Sequence, residues 1–311
     1  MTAGVAVTGG LSPPAPAGPE ARQASPREHL SKAEAGVQAG WISGGRLHLN
    51  RGPIDLVIRA EGPAAAAAYR AALARFDGML EALVAELPAL RSGDGVPVEG
   101  AVARAMAAAV APYRPAFITP MAAVAGAVAD AVLVAMRATG PLDRAYVNNG
   151  GDIALHLGPG SRFDVAMATG GTVVLHAGDG VGGVATSGWR GRSQSLGIAD
   201  AVTVLARTGA EADAAATMVA NAVDLPGHPA VTRVPAVAVK ADSDLGQRLV
   251  TVDVGRLSAG EVAEALGRGA CSARRLVDRG LILGAALVLQ GEMVTVGRMA
   301  VSERAGAWIS A

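Results

Sequence analysis

Three short segments carry side chains whose types and spacing could do chemistry. The first, Asn148-Asn149-Gly150-Gly151-Asp152, sets two glycines between amides and a carboxylate. Glycines let the main chain turn sharply and approach a ligand, while Asn and Asp offer polar contacts; an ordinary tight turn has the same composition. It is neither a P-loop nor a dinucleotide fingerprint, because no Gly-Lys-Ser/Thr ending follows and no G-x-G-x-x-G opens a helix. The second segment runs from Gly182 to Ser193 and holds Thr186, Ser187, Gly188, Arg190 and Arg192. Hydroxyls, glycine amides and two guanidiniums suit an anion, above all phosphate or pyrophosphate, though a solvated arginine loop reads the same way. The third, Gly197 to Thr203, places Asp200 at the start of an apolar run. Such an Asp is either a helix N-cap or a magnesium ligand, since Mg²⁺ takes hard oxygen donors and typically one or two carboxylates.

The remaining polar singletons are weaker. His29, His48, His156, His176 and His228 show no zinc spacing, and one cysteine cannot supply it. His156 and His176 fall on neighbouring predicted strands. Cys271 reads first as a small hydrophobe, with Arg274 and Arg275 near enough to activate it as a nucleophile. No G-x-S-x-G elbow supports a serine hydrolase.

The elements that must position these segments follow from periodicity. Residues 1–35, rich in Pro, Ala, Gly and Ser, read as a flexible tail, and 36–311 as a single domain. Short strands are predicted at Trp41-Ile42, Arg46 to Leu49 and Ile54 to Ile58. A helix over 63–87 carries Tyr69, Leu73, Phe76, Leu80, Leu83 and Leu87 on one stripe and ends at Pro88. Another covers Glu99 to Ala111. The third helix, about 121–138, is apolar nearly all round and built from Ala, Gly and Val, so it should be buried with another backbone or a ligand close against it. Asp130 in its middle is the anomaly. Strands are predicted at Ala145 to Val147, Ile153 to Leu157, Phe163 to Ala168, Thr172 to His176 and Gly183 to Ser187. Helices are expected over 199–208 and 210–223, then strands at Ala236 to Lys240 and Leu249 to Val254. A helix over 258–277 opens on a Ser258/Glu261 capping box, and a hairpin of Leu281 to Leu289 with Met293 to Val296 turns at Gln290-Gly291. The fold class is α+β: a largely antiparallel sheet packed with helices, one of them a buried Ala/Gly-rich helix.

Composition excludes several function classes. The 311 residues balance 27 basic against 27 acidic side chains, and 51% are hydrophobic, which excludes wholesale disorder. Zero net charge without a basic block argues against nucleic acid, and 3% aromatics leave few platforms for stacking bases. A lone cysteine excludes a disulfide scaffold. The N-terminus has no basic n-region followed by an apolar h-region, and the most apolar window, Met121 to Met136, falls short of the roughly 20 residues of a membrane span. The expectation is a cytoplasmic protein with no membrane or nucleic-acid partner; the Ala-rich helix is compatible with a homodimer.

Taken in order, the segments resemble the ApbE-like superfamily, FAD:protein FMN transferases in its characterised members, and look closest to its short, uncharacterised cytoplasmic branch. Ala125-Gly126-Ala127-Val128-Ala129-Asp130 is similar to the family's Lys-Gly-x-Ala-x-Asp, and Asn148 to Asp152 to its Asn-x-Gly-Gly-Asp. Ala185-Thr186-Ser187-Gly188 matches Ala-Thr-Ser-Gly, and Ile198-Ala199-Asp200-Ala201 resembles Thr-Ala-Asp-Ala. The likeness spans residues 115–225. It implies a flavin-nucleotide site for FAD or FMN lined by Asp130, Asn148, Asn149, Gly150, Gly151, Asp152, Thr186, Ser187, Gly188, Arg190 and Arg192. It implies Mg²⁺ held by Asp200 and Thr203, a pyrophosphate neutralised for cleavage, and FMN passed to a protein or small-molecule acceptor. Trp189 is the aromatic best placed to stack on a flavin.

Three departures stand beside it. The family's His-x-x-Asp-Pro-x-Thr-Gly segment is missing between Trp189 and Ile198, and losing such a base should slow transfer by about 10²–10⁴-fold. Thr203 comes one residue before the family's metal-side Thr, and Ala125 replaces the Lys. The reading is therefore a divergent Mg-dependent FMN transferase. The alternatives are a non-transferring flavin or nucleotide-binding accessory protein, or an enzyme of small-molecule sulfur or cofactor metabolism using Cys271 or a histidine.

Overall fold

Alternation organises the first part of the chain, in a computed structural model that describes residues 6–8, 36–167 and 170–302. β1 (Ala6–Thr8) lies inside the stretch expected to be a tail; the rest of residues 1–35 falls outside the described residues, as does Ala168, the predicted end of a strand. β2 (Gln38–Ile42), β3 (Arg46–Arg51) and β4 (Ile54–Glu61) form a meander. In β4 every second residue, Ile54, Leu56, Ile58 and Ala60, is buried, as a strand with one face on a core requires.

The helix expected over 63–87 is three pieces. α1 (Ala65–Phe76) stops where Gly78 takes a φ of +69°, α2 (Met79–Ala85) restarts, and α3 (Leu87–Leu90) carries Pro88 in its first turn. Proline there loses no intrahelical donor, so Pro88 continues the path instead of ending it. α4 (Ala101–Val110) and α5 (Val124–Arg137) fall where expected. So do β5 (Arg144–Asn149), β6 (Asp152–Leu157), β7 (Arg162–Ala166), β8 (Thr172–His176) and β9 (Gly183–Ser187).

The helix expected over 199–208 is instead a strand, β10 (Ala201–Ala206). All six of its residues are buried, so it is apolar on both faces and shows no alternation. Periodicity alone cannot separate such a central strand from a buried helix. α6 (Gly209–Ala222) follows; then β11 (Val231–Pro235) leads into a short helix, α7 (Ala236–Val239), where a strand was predicted. β12 (Leu249–Val254) precedes α8 (Ala259–Asp278), which begins with the Ser258/Glu261 capping box. β13 (Gly284–Leu289) and β14 (Glu292–Gly297) pair across Gln290-Gly291, and β15 (Val301–Ser302) closes the described chain.

Nine strands form one antiparallel sheet in the order β14-β13-β10-β9-β6-β5-β4-β3-β2. Helices cover one face in two apolar clusters: α1, α4 and α5 over β3 to β5, and α6 with α8 over β9, β10 and β13. The other face carries a four-stranded sheet, β1-β7-β8-β15, through Tyr146, Ile153, Phe163 and Val173. β11 and β12 pair separately. The expected α+β architecture is what the chain adopts.

α5 is central. With the turn before it, Pro120–Arg137 is one helical stretch of 18 residues and mean hydropathy 1.5, long and apolar enough to cross a membrane by length and composition. That departs from the shorter window read from sequence. Half of it is buried here, against α1, α6, β5 and β6. The close approach foreseen for its small residues is to another backbone: a Cβ on Gly126 would sit 2.1 Å from the Gly209 carbonyl oxygen of α6.

Candidate functional site

The β5–β6 hairpin is a two-residue turn in which Asn149 faces Asp152 across the ladder. Gly150 and Gly151 take φ of +66° and +117°, values that only glycine adopts at little cost. The Asn148 carbonyl Oδ1 accepts from the Gly151 amide at 2.8 Å. Asn149, buried, donates through Nδ2 to the Ala125 carbonyl at 3.2 Å and so ties the turn to the start of α5. Asp152 Oδ1 accepts from the Thr186 amide at 3.2 Å, joining the turn to the end of β9. Arg192 reaches back over the turn, its Nη2 donating to the Gly150 carbonyl at 3.4 Å.

These residues wall one cleft of about 1090 Å³. Asn148 to Asp152, Thr186 to Gly188, Arg190 and Arg192 form its polar side. Leu80, Leu83, Val84 and Leu87 of α2 and α3, with Val124 and Val128 of α5, form an apolar side. A smaller space of about 240 Å³ adjoins it and shares Asp152 and Arg192; Asp213, Thr217 and Asn221 of α6 line its inner end. The volume is at the upper end for small-molecule sites, and a lining that combines polar and apolar residues suits a ligand with a charged part and a flat apolar part.

Two half-buried acids line this junction. Burial pushes the Asp213 carboxyl well above the usual carboxylate range, the nearby Asp152 charge raises it further, and amide donors from Gly126 and Ala125 oppose the shift. Burial likewise raises Asp152, against the Thr186 amide and the Arg192 charge. Each carboxylate disfavours ionisation of the other, which favours a proton kept on the pair. Asp213 was missed in the sequence, where it is one acid on an alanine-rich helix.

Other expected site residues lie elsewhere. Asp130 is outside the cleft: its two oxygens accept from the Gly209 and Ala210 amides, each at 2.8 Å, and so cap α6 from α5. Burial, partly offset by those amides, pushes its carboxyl up to about 6. Asp200 and Thr203 do not converge. Asp200 Oδ1 accepts from Trp189 Nε1 at 3.2 Å and Arg190 Nε at 2.6 Å, and Oδ2 from the Gln290 amide at 2.6 Å. Thr203, buried on β10, hydrogen-bonds Thr186 Oγ1 across the ladder at 2.9 Å. With both carboxylate oxygens engaged and the threonine facing a different partner, this pair does not fit a magnesium ion. Among the described residues no three His, Cys, Asp or Glu side chains cluster as a metal site. Trp189 is covered by Arg190, whose guanidinium carbon lies 4.6 Å from the ring centroid, and it does not line the cleft.

The apolar wall was also missed, because α2 read as a continuation of α1; the signal was Gly78, a helix-breaking glycine inside the stripe. Arg91, Lys240 and Asp242 close the rim, with Arg91 paired to Asp242 at 2.8 Å. None of the described histidines lines either space, and His156 and His176 lie in different sheets. Cys271 is exposed on α8.

A family model described as AbpE bacteria matches residues 39–295. A UPF0280 protein of Methanopyrus kandleri is 36% identical over 176 residues, 54% of this chain and 69% of that protein. A UPF0280 protein of Methanothrix thermoacetophila is 42% identical over 113 residues, 34% of this chain and 46% of its own length, so under half of that relative is spanned. Among solved structures, the apo form of the flavinyl transferase ApbE from Pseudomonas stutzeri aligns with 84% of this chain and 93% of its own, at 16% identity and a TM-score of 0.39.

Proposed function

The chain belongs to the AbpE bacteria family, an ApbE-like group, and on that premise we propose that its large cleft binds a flavin nucleotide, FAD or FMN. The observation that supports this reading best is the composition of that one cleft. The motif residues of β5–β6 and β9 line it together with Arg190, Arg192 and apolar side chains of α2, α3 and α5. The guanidiniums and the main-chain amides around Gly150 and Gly188 would hold phosphate oxygens, and the leucine and valine wall would exclude water from a flat ring. Residues 36–311 are taken as the single domain that carries this site.

The same cleft supports a divergent FMN transfer to a protein or small-molecule acceptor. FAD, when bound, supplies the pyrophosphate whose cleavage releases AMP. Arg192 and Arg190 would offset charge on that group. The family's histidine base has no counterpart, and Asp152 stands at the wall common to both spaces. Paired with Asp213, it is the group able to take a proton from an acceptor hydroxyl. Magnesium is not assigned to Asp200 and Thr203, whose contacts leave no room for that role, and no step is derived through it.

Incubation of the pure protein with FAD, with and without Mg²⁺, followed by chromatography for AMP, tests this reading. Release of AMP that is lost in Asp152→Asn supports transfer. The missing histidine segment favours a second reading, a flavin-binding accessory protein, for which FAD stays bound and intact. A protein that neither binds nor consumes FAD overturns both.

A further inference from the structure

The smaller space beside the flavin cleft, its annex, is walled on one side by a strap, residues 240–248, that runs in turns from the end of α7 to the start of β12. None of its residues is buried, and Leu245 is its one large apolar side chain. Among the described residues, every main-chain hydrogen bond it makes goes to itself or to Ala236 and Val237 of α7. Side chains alone tie it to the other walls. Asp242 accepts from Arg91 Nη2, at the end of α3, at 2.8 Å. Ser243 donates to Gln194, Asp244 accepts from Thr119, and the Arg248 guanidinium carbon lies 3.3 Å from the centroid of the Phe117 ring. Gln194 also donates to the Ala236 carbonyl at 2.9 Å, steadying α7. Arg91, Phe117, Thr119 and Gln194 all line the annex, so the ties reach it from three separate segments.

Such ties are individually weak. The Arg91–Asp242 pair has side chains 32% and 58% exposed, and a solvated ion pair holds little. A segment with little buried apolar surface and solvent-exposed backbone opens far more readily than a core element. The opposite wall is of the other kind: Asp213, Thr217 and Asn221 stand on α6, which packs against β9 and β10. We propose that residues 240–248 are a gate on the annex. The strap lifts while α6 and the sheet stay in place, giving a reactant a way to Asp152 and Asp213, and the four side-chain ties draw it shut again. The presence of a reactant at that end rests on the function proposed above; the motion does not.

Lysine occurs only at positions 32 and 240, so endoproteinase Lys-C reads the strap of the full chain through one cut, after Lys240. The Lys240 carbonyl accepts from the Ser243 amide at 3.0 Å, and the bond must leave that turn to be cut. With opening faster than cleavage, the rate follows the open population. The folded parent is expected to be cut there, Arg91→Ala about two- to fivefold faster, and Gln194→Ala about fivefold faster or more. Both substitutions leave the sequence around the cut unchanged. Arg268→Ala, which breaks an exposed pair with Glu264 on α8, should be cut at the parent rate. In a Cys271→Ser background, Thr217→Cys puts the protein's one thiol in the annex, and Arg91→Ala should speed its reaction with iodoacetamide by the same two- to fivefold. Circular dichroism and the unfolding midpoint establish that each variant is folded. A folded parent left uncut after Lys240, equal cutting of the parent, Arg91→Ala and Gln194→Ala, or a Thr217→Cys thiol indifferent to Arg91→Ala each overturns the gate. Neither assay contains flavin. A protein that ignores FAD leaves their results standing, and one that binds FAD with its strap uncut refutes the gate alone.

Discussion

Replacing Gly126 by alanine should be among the most damaging single-methyl changes in the protein, and the geometry gives the size. The added Cβ would lie 2.1 Å from the Gly209 oxygen, 2.3 Å from its carbonyl carbon and 2.6 Å from the Ala210 nitrogen. Ordinary contact begins near 3.4 Å, so α5 and α6 must separate by more than an ångström. All three obstructing atoms are main chain, so no rotamer change relieves them. Overpacking of this kind costs about 1–3 kcal/mol. The same displacement stretches the Asp130 bonds to the Gly209 and Ala210 amides, both 2.8 Å, and the Gly126 amide bond to Asp213 at 3.1 Å. Losing one bond to a charged acceptor adds about 1.5–3 kcal/mol, and the better helix propensity of alanine returns about 1 kcal/mol. The net loss is about 1.5–5 kcal/mol. Urea unfolding followed by circular dichroism reads it as a lower midpoint at unchanged slope. Gly267→Ala is the control: it lies inside α8 with nothing within 4 Å of its Cβ, and should stabilise by about 0.5–1 kcal/mol. A Gly126→Ala protein within about 0.5 kcal/mol of the parent would refute the packing described for α5 and α6.

Three other outcomes follow from acids set into the fold. Burial holds Asp130 near 6, above its unfolded value of about 3.9, so its contribution to stability is full below the unfolded value and declines as pH rises from about 4 to 6. Urea midpoints across that range should fall less in Asp130→Asn than in the parent. Burial and the Asp152 charge both raise Asp213, so infrared spectra at neutral pH should contain a protonated carboxyl band. That band should disappear in Asp213→Asn; a spectrum without it in the parent contradicts the shared proton. Asp200 anchors Trp189, Arg190 and the Gln290 amide, so Asp200→Asn should lower stability by about 1–3 kcal/mol with no nucleotide or metal present. An unchanged melting temperature in metal-free buffer would return Asp200 to the list of metal ligands.

Much of the sheet could be read from the chain, because β4 alternates cleanly and the two-residue turns at Gly150-Gly151 and Gln290-Gly291 each carry a glycine at positive φ. β10 could not, since a strand buried on both faces has no period of two to display. The polar wall of the cleft was legible for a related reason. Its residues sit at turns and strand ends, where Asn, Gly, Ser and Thr stand out against an apolar background. What the acids do was not legible. Asp130, Asp200 and Asp213 are each one carboxylate in an Ala- and Val-rich stretch. Only the fold shows that the first caps a helix 79 residues on, the second clamps a strand end, and the third lies near Asp152. The apolar wall escaped because Gly78 turns α2 away from α1, redirecting a stripe that looked continuous.

The most direct measurement is a fluorescence titration of FAD with the full protein and with Arg192→Ala. Arg192 lines both the cleft and its annex and reaches the Gly150 carbonyl, yet it is exposed and carries no core packing. Saturable quenching by the parent, weakened about tenfold or more in a folded Arg192→Ala, is the predicted result. FAD fluorescence unaffected by the parent, or bound equally by both proteins, would contradict a flavin nucleotide in this cleft.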